Sequence, residues 1–110
     1  MSWNIVYTSR AKRDLRDIYD YIAYDLLVPD TAAGQIQRIM KKIRTLNEMP
    51  MRFRVYKEEP WRSAGLRFFP VDHYLVFYLP DETGNTVNIV RIMYGGRDIR
   101  RQLDETDVEY

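Results

Sequence analysis

The segment L-R-F-F-P-V-D-H-Y-L-V-F-Y-L, from Leu66 to Leu79, decides the fold. We predict a strand over Leu66 to Val71. Pro70 near its end indicates an edge strand or a bulge, because proline cannot donate a hydrogen bond to a neighbouring strand. The residues from Tyr74 to Leu79 are apolar on both faces, which predicts a central strand that is covered on both sides.

The segments on either side extend this sheet. Pro80 to Thr86 predicts a hairpin loop, and Val87 to Tyr94 predicts the last long strand. Asp98 to Leu103 is expected to form a short helix or turn. Before the deciding segment, Phe53 to Lys57 is expected to be a first short strand or its lead-in, and Pro60 to Gly65 a loop.

The N-terminal half predicts one strand and two helices. Trp3 to Tyr7 is rich in strand-forming residues. Apolar residues then recur at helical spacing: Ala11, Leu15, Ile18, Ile22 and Leu26, followed by Ala33, Ile36, Ile39, Ile43 and Leu46. Pro29 separates the two stripes, and the second ends before Pro50. A connection this short favours an antiparallel helical hairpin.

This order predicts an α+β fold, β-α-α-β-β-β, with the helical hairpin on one face of a twisted, mostly antiparallel sheet and a short C-terminal helix. A chain of 110 residues makes one domain. We expect that domain to span residues 1–103, with residues 104–110 as an acidic, frayed tail.

Composition excludes several classes of function. The chain has no cysteine and one histidine, His73, so neither a disulfide, a thiolate nucleophile nor a multi-histidine metal site can form within it. We expect no metal and no cofactor. No apolar run approaches the roughly 20 residues that span a bilayer, and the N-terminus lacks signal-peptide features. The expectation is a cytoplasmic protein without a membrane partner.

Charge is uneven along the chain despite a formal net charge of +1. Residues 50–103 are mildly basic and the tail after them is acidic. A basic sheet region with phenols and a histidine suits phosphodiester chemistry on RNA, in which arginine stabilises phosphate charge and Tyr74 or His73 moves protons. The candidates for contacting RNA or another target are Arg54, Lys57, Trp61, Arg62, Arg91 and Arg100.

Each candidate also has a structural interpretation. Arg67 is a candidate for the groove, or for a salt bridge to Glu58, Glu59 or Asp72. Arg91 lies in the middle of a strand, so its charge requires either a polar partner or a solvent-exposed face. Trp61 is equally suited to covering the edge of the core, and His73 to an ordinary turn.

Three segments resemble the RelE/ParE toxins: Ser9 to Ile22, Gly65 to Tyr78 and Val87 to Asp98. The resemblance implies a type II toxin that is neutralised by an antitoxin encoded beside it, in a hetero-oligomer with that antitoxin. In this superfamily, RelE-like members cut mRNA in the ribosomal A site, and ParE-like members poison DNA gyrase.

The resemblance assigns Arg67 and Arg97 to two basic positions of the RelE-like site. Tyr74 stands where a further arginine is expected, and Arg100-Arg101-Gln102-Leu103 stands where that branch has a tyrosine. The patterns L-R-x-x-P-V and G-x-R-D resemble the ParE branch at least as closely. The leading prediction is ribosome-dependent mRNA cleavage by Arg67, Arg97, Tyr74 and His73. The alternatives are a non-enzymatic gyrase inhibitor and an inactive relative that binds only its antitoxin.

Overall fold

The computed structural model describes residues 2–96 and 98–106 and shows two helices packed on a four-stranded mixed sheet. The sheet has the order β1-β4-β3-β2. Strand β1 is parallel to β4, and the other pairs are antiparallel. The strands are β1 (Asn4–Tyr7), β2 (Arg67–Val71), β3 (Tyr74–Asp81) and β4 (Thr86–Tyr94). The predicted α+β class and element order are confirmed, with β3 central and β2 at an edge.

The helical hairpin begins at a capped N-terminus. The Thr8 hydroxyl accepts a hydrogen bond from the Ala11 backbone N–H at 3.1 Å, and α1 runs over Ser9–Asp20. The chain continues as a π-helical turn, Tyr21–Asp25, before α2 begins at Pro29 and ends at Arg44. Proline suits the first turn of α2 because the backbone N–H that it lacks would be unpaired there.

The main core lies between this hairpin and one face of the sheet. Its fully buried members include Ile39, Ile43, Val76 and Ile89. Tyr78 is also fully buried, and its hydroxyl donates a 2.6 Å hydrogen bond to the carbonyl of Pro50. That bond ties the segment after α2 to the centre of the sheet.

A second, smaller core covers the opposite face of the sheet, as the apolar pattern of β3 predicts. It is formed by Trp61, Leu66, Phe77, Leu79, Val90, Met93 and Leu103. Trp61 belongs to a short helix, α3 (Trp61–Ala64), in a segment that we expected to be a loop. The segment from Phe53 to Lys57 forms a single bridge, Val55 with Arg67, rather than a strand.

The C-terminal helix α4 (Ile99–Asp104) runs one residue past the expected domain boundary at Leu103. Thr106 still contacts the fold, because its hydroxyl accepts a 2.9 Å hydrogen bond from Arg91. Residues 107–110, the rest of the expected tail, lie outside the described residues.

None of the helices in the described part of the chain combines the length and apolarity that crossing a membrane requires.

Candidate functional site

Arg67 lies at the start of the edge strand β2, opposite Tyr78. Its guanidinium donates hydrogen bonds to the backbone carbonyls of Met51 (2.9 Å) and Phe53 (2.5 Å). Arg67 therefore fastens the segment that follows α2, using carbonyl oxygens rather than the carboxylates considered from the sequence.

Tyr74 and His73 lie at the other end of the β2–β3 hairpin. Tyr74 pairs with Val71 and Tyr94, and its ring meets the Tyr94 ring edge to face with centroids 5.9 Å apart. His73 is exposed in the turn between the two strands. Tyr74 and Tyr78 are four residues apart on β3, so Tyr74 lies roughly 13 Å along the strands from Arg67. The structure does not bring these candidates to one point.

Arg91 is buried rather than presented to a target. The pairing of β3 with β4 skips Val90, and this irregularity directs Arg91 towards α1. There its Nε lies 2.7 Å from Oδ2 of Asp14, and both side chains are 5% exposed. Asp14 is therefore the partner that buried Arg91 requires. Nothing in the sequence indicated that Asp14 is buried.

The remaining candidates are carried by the segments that form the second core. Trp61 is only 4% exposed and packs in that core. Arg54 lies 4.9 Å from the centre of the Phe68 ring, and Arg100 pairs with Glu58 at 3.2 Å. Four of these residues are exposed, and we call them the second-face cations: Arg54, Lys57, Arg62 and Arg100. Arg97 lies outside the described residues.

The phenols near the candidate sites have pKa values that favour the neutral form. Burial raises the pKa of Tyr74, and the neighbouring phenols of Tyr94 and Tyr21 raise it further. Burial also raises the pKa of Tyr56, which lies in the field of Glu58. Both groups are therefore protonated at neutral pH and poorly suited to act as bases.

An exposed apolar surface lies at the tip of the helical hairpin, and it includes Tyr21 and Tyr24, for which the sequence favoured the rim of the core or an interface. We call it the hairpin-tip surface; it comprises Tyr21, Tyr24, Leu26, Leu27, Val28 and Tyr94, which are 41–77% exposed. Its other sequence signal is the run Leu26-Leu27-Val28, which continues the apolar stripe of α1 into the connection. Leu27, the most exposed member, has a positive φ of 59°, which is unfavourable for a branched side chain.

A groove of about 620 Å³ adjoins the hairpin-tip surface and reaches the sheet between α1 and β4. Its walls include Ile18, Ile22, Tyr74 and Tyr94, and its rim carries Asp17. Exposed Asp20, Asp25 and Asp30 lie close by on the hairpin. An apolar groove of this kind suits an apolar protein segment.

Among residues 2–96 and 98–106, no group of three or more His, Asp or Glu side chains is arranged to hold a metal ion.

Two helices on this four-stranded mixed sheet form the fold of RelE/ParE-type toxins. A chain of the chromosomal ParDE toxin–antitoxin system from P. aeruginosa is similar, with a TM-score of 0.69, 22% identity, and coverage of 84% of this chain and 96% of that one. A chain of the toxin–antitoxin complex RelBE2 from Mycobacterium tuberculosis is similar with a TM-score of 0.59, 21% identity, and coverage of 86% and 99%. At these identities the likeness shows the fold alone. Among curated proteins, no sequence matches.

The sequence profile of the family described as the ParE toxin of the type II toxin–antitoxin system parDE matches residues 5–99. This chain therefore belongs to the ParE toxin family, and the RelE/ParE resemblance is confirmed.

Proposed function

We propose that this toxin inhibits growth by binding DNA gyrase, without cutting RNA, and that a cognate antitoxin holds it inactive. The observation that carries the proposal is the separation of Arg67 from Tyr74 and His73, the candidate catalytic residues that the structure describes. Cleavage of RNA requires a proton acceptor, a proton donor and a cation within reach of one phosphate. Arg67 and Tyr74 instead occupy opposite ends of one β-hairpin.

The chemistry of the separated residues supports the same conclusion. The Arg67 guanidinium is engaged by two backbone carbonyls, and Arg91 is buried against Asp14. Tyr74 has a raised pKa, and among the described residues its ring contacts the phenol of Tyr94. Binding needs no such constellation, and the match to the ParE family favours the gyrase-directed branch.

The second-face cations offer a surface for contact with the target. Arg54 and Lys57 lie in the segment before α3, Arg62 in α3 and Arg100 in α4. Arg54 lies over Phe68, whose ring packs with those of Tyr56 and Phe77. Glu58 partly neutralises Arg100, which leaves Arg54, Lys57 and Arg62 as the more available charges. Exposed cations can speed and orient the association with an acidic protein surface.

An antitoxin is proposed as the partner of the hairpin-tip surface. Both similar structures are chains from toxin–antitoxin systems. An amphipathic helix that lays its apolar face into a groove is a common mode of peptide recognition, and the groove beside Tyr74 and Tyr94 has apolar walls for it. Covering that groove would remove the exposed apolar residues of the toxin from water.

The proposal is tested with purified toxin, gyrase and supercoiled plasmid. After denaturation of the enzyme, we expect linear DNA from trapped cleavage complexes, and we expect added antitoxin to prevent its appearance. The same toxin preparation is added to ribosomes that carry mRNA in the A site. Cut mRNA together with intact plasmid would overturn the proposal in favour of the nuclease.

A charge-neutral version of the second face tests where the target binds. The variant Arg54→Gln, Lys57→Gln, Arg62→Gln should lose trapping while keeping its affinity for the antitoxin. The single-charge control Arg101→Gln removes an exposed cation of α4 that is paired with Glu105, and it should trap gyrase normally. Loss of trapping in the control alone would place the contact elsewhere.

A further inference from the structure

The outer side of the helical hairpin carries a second, separate group of cations. We call it the helical basic face; its members are all exposed and comprise Lys12, Arg13 and Arg16 of α1 with Lys41, Lys42 and Arg44 of α2. Because the helices are antiparallel, the first half of α1 lies beside the second half of α2.

None of these cations is in a salt bridge within the described part of the chain. The salt bridges found there use other arginines of the hairpin: Arg10 pairs with Asp14, and Arg38 with Asp72. No acidic residue occurs in α2 after Asp30. Lys42 has an aromatic neighbour, since its ammonium lies 5.9 Å from the centre of the Phe53 ring, but it too is in no salt bridge.

Helix stability accounts for only part of the helical basic face. Lys12 and Arg16 are like charges at i and i+4, a spacing that destabilises a helix. Arg13 and Arg16 each have an acid at i+4, Asp17 and Asp20, which is a favourable spacing. Cations near the N-terminus of α1 also oppose the helix dipole, and the first turn of α1 contains no acid. The three cations in the last turn of α2 favour their own helix. The like charges at the start of α1 are the part of this surface that a partner with negative charge would stabilise.

We propose that the helical basic face binds the phosphate backbone of duplex DNA independently of sequence. Single strands are usually held by bases stacking on aromatic rings, but the exposed tyrosines of the described residues, Tyr21, Tyr24 and Tyr94, lie at or beside the acidic hairpin tip. Exposed lysines and arginines are the side chains that bind backbone phosphates. The inference goes beyond gyrase binding, because it assigns an affinity for DNA to the toxin alone.

The binding is measured by the fluorescence anisotropy of a labelled DNA duplex of arbitrary sequence, without gyrase. If about four phosphates are contacted, the logarithm of the affinity should fall against the logarithm of salt concentration with a slope of about −3.6. The variant Lys12→Gln, Arg16→Gln, Lys41→Gln, Arg44→Gln should lose at least tenfold in affinity and most of this slope. The matched control Arg54→Gln, Lys57→Gln, Arg62→Gln, Arg100→Gln removes the same charge and should bind as wild type.

A footprint on the wild-type protein makes the test independent of how the variants fold. With DNA bound, Lys12, Lys41 and Lys42 should be protected from an amine-reactive reagent while Lys57 stays reactive. Equal loss of affinity in both variants would overturn the proposal, since net charge alone would explain it. Absence of binding by the wild type, protection of Lys57 alone, or tighter binding to an RNA duplex of the same sequence would also overturn it. None of these results depends on whether gyrase is the target.

Discussion

Asp14 of α1 and Arg91 of β4 form a buried ion pair that joins the helical layer, the sheet and the C-terminal helix. The Asp14 carboxylate accepts two hydrogen bonds from Arg91 and one from the backbone N–H of Ile92, at 2.7, 3.1 and 2.9 Å. Arg91 also donates to the carbonyl of Gln102 and the hydroxyl of Thr106. Both charges are thereby satisfied without water, and α4 is held at its C-terminal end.

Removing one member of this pair should destabilise the fold strongly. Asp14→Ala leaves the Arg91 guanidinium buried without a carboxylate, and we expect a loss of about 3–5 kcal/mol in the free energy of unfolding. Urea denaturation followed by circular dichroism measures this. Asp17→Ala, an exposed acid on the same helix, serves as the control and should change stability by less than about 0.5 kcal/mol. Similar stability of the two variants would refute the assigned role of the pair.

Tyr78 should make stability depend on pH in the alkaline range. Burial raises its pKa from 10.0 to about 12, so the unfolded chain loses this proton at lower pH than the folded protein. The stabilisation is complete below pH 10 and is lost as pH rises towards about 12, by roughly 2 kcal/mol.

The variant Tyr78→Phe isolates this effect. At neutral pH it should be about 1–2 kcal/mol less stable than wild type, because the buried carbonyl of Pro50 loses its donor. The difference should shrink above pH 10, where only the wild type has this phenol to titrate. Parallel stability curves for the two proteins across that range would contradict the assignment.

Replacing Leu27 at the hairpin tip should stabilise the toxin and weaken its binding to the antitoxin. Replacing it with glycine relieves the positive φ and should raise the free energy of unfolding by up to about 1 kcal/mol. If the hairpin-tip surface holds the antitoxin, Leu27→Gly should also weaken that complex measurably in titration calorimetry. Met49 also has a positive φ and is exposed, at 50° and 74%. Met49→Gly is therefore the control, with a similar effect on stability and none on antitoxin affinity.

Arg67 should affect toxicity only through folding. Arg67→Met removes two charge-assisted hydrogen bonds to carbonyls and should cost about 1–3 kcal/mol. Toxicity in cells should then fall at high growth temperature and recover at low temperature, in step with the folded fraction. A fully folded Arg67→Met protein without toxicity would instead support a catalytic arginine.

The layout of the fold could be predicted because its signals are local. The apolar periodicities of Ala11 to Leu26 and of Tyr74 to Leu79 reflect the face that each element buries. The short helix α3 was missed because four residues are too few to show a period, and its stability comes from Trp61 inserting into the second core.

The candidate site was harder to predict because it depends on pairing between distant parts of the chain. Asp14 and Arg91 are 77 positions apart. The sequence indicated that Arg91 needs a partner or an exposed face, but Asp14 resembles an ordinary surface charge. The hydrogen-bond partners of the Arg67 side chain likewise depend on the position of the segment after α2. The resemblance identified the family. The spacing of residues along a strand determined which candidate site residues could lie close together.

The most direct test of the central claim follows DNA and protein synthesis in cells that express the toxin without an antitoxin. Incorporation of labelled thymidine and of labelled amino acids is measured over the first minutes after induction. A toxin that acts on gyrase should lower thymidine incorporation first, with filamentation, while amino-acid incorporation continues. A prompt halt of amino-acid incorporation with continued DNA synthesis would contradict the account and indicate mRNA cleavage.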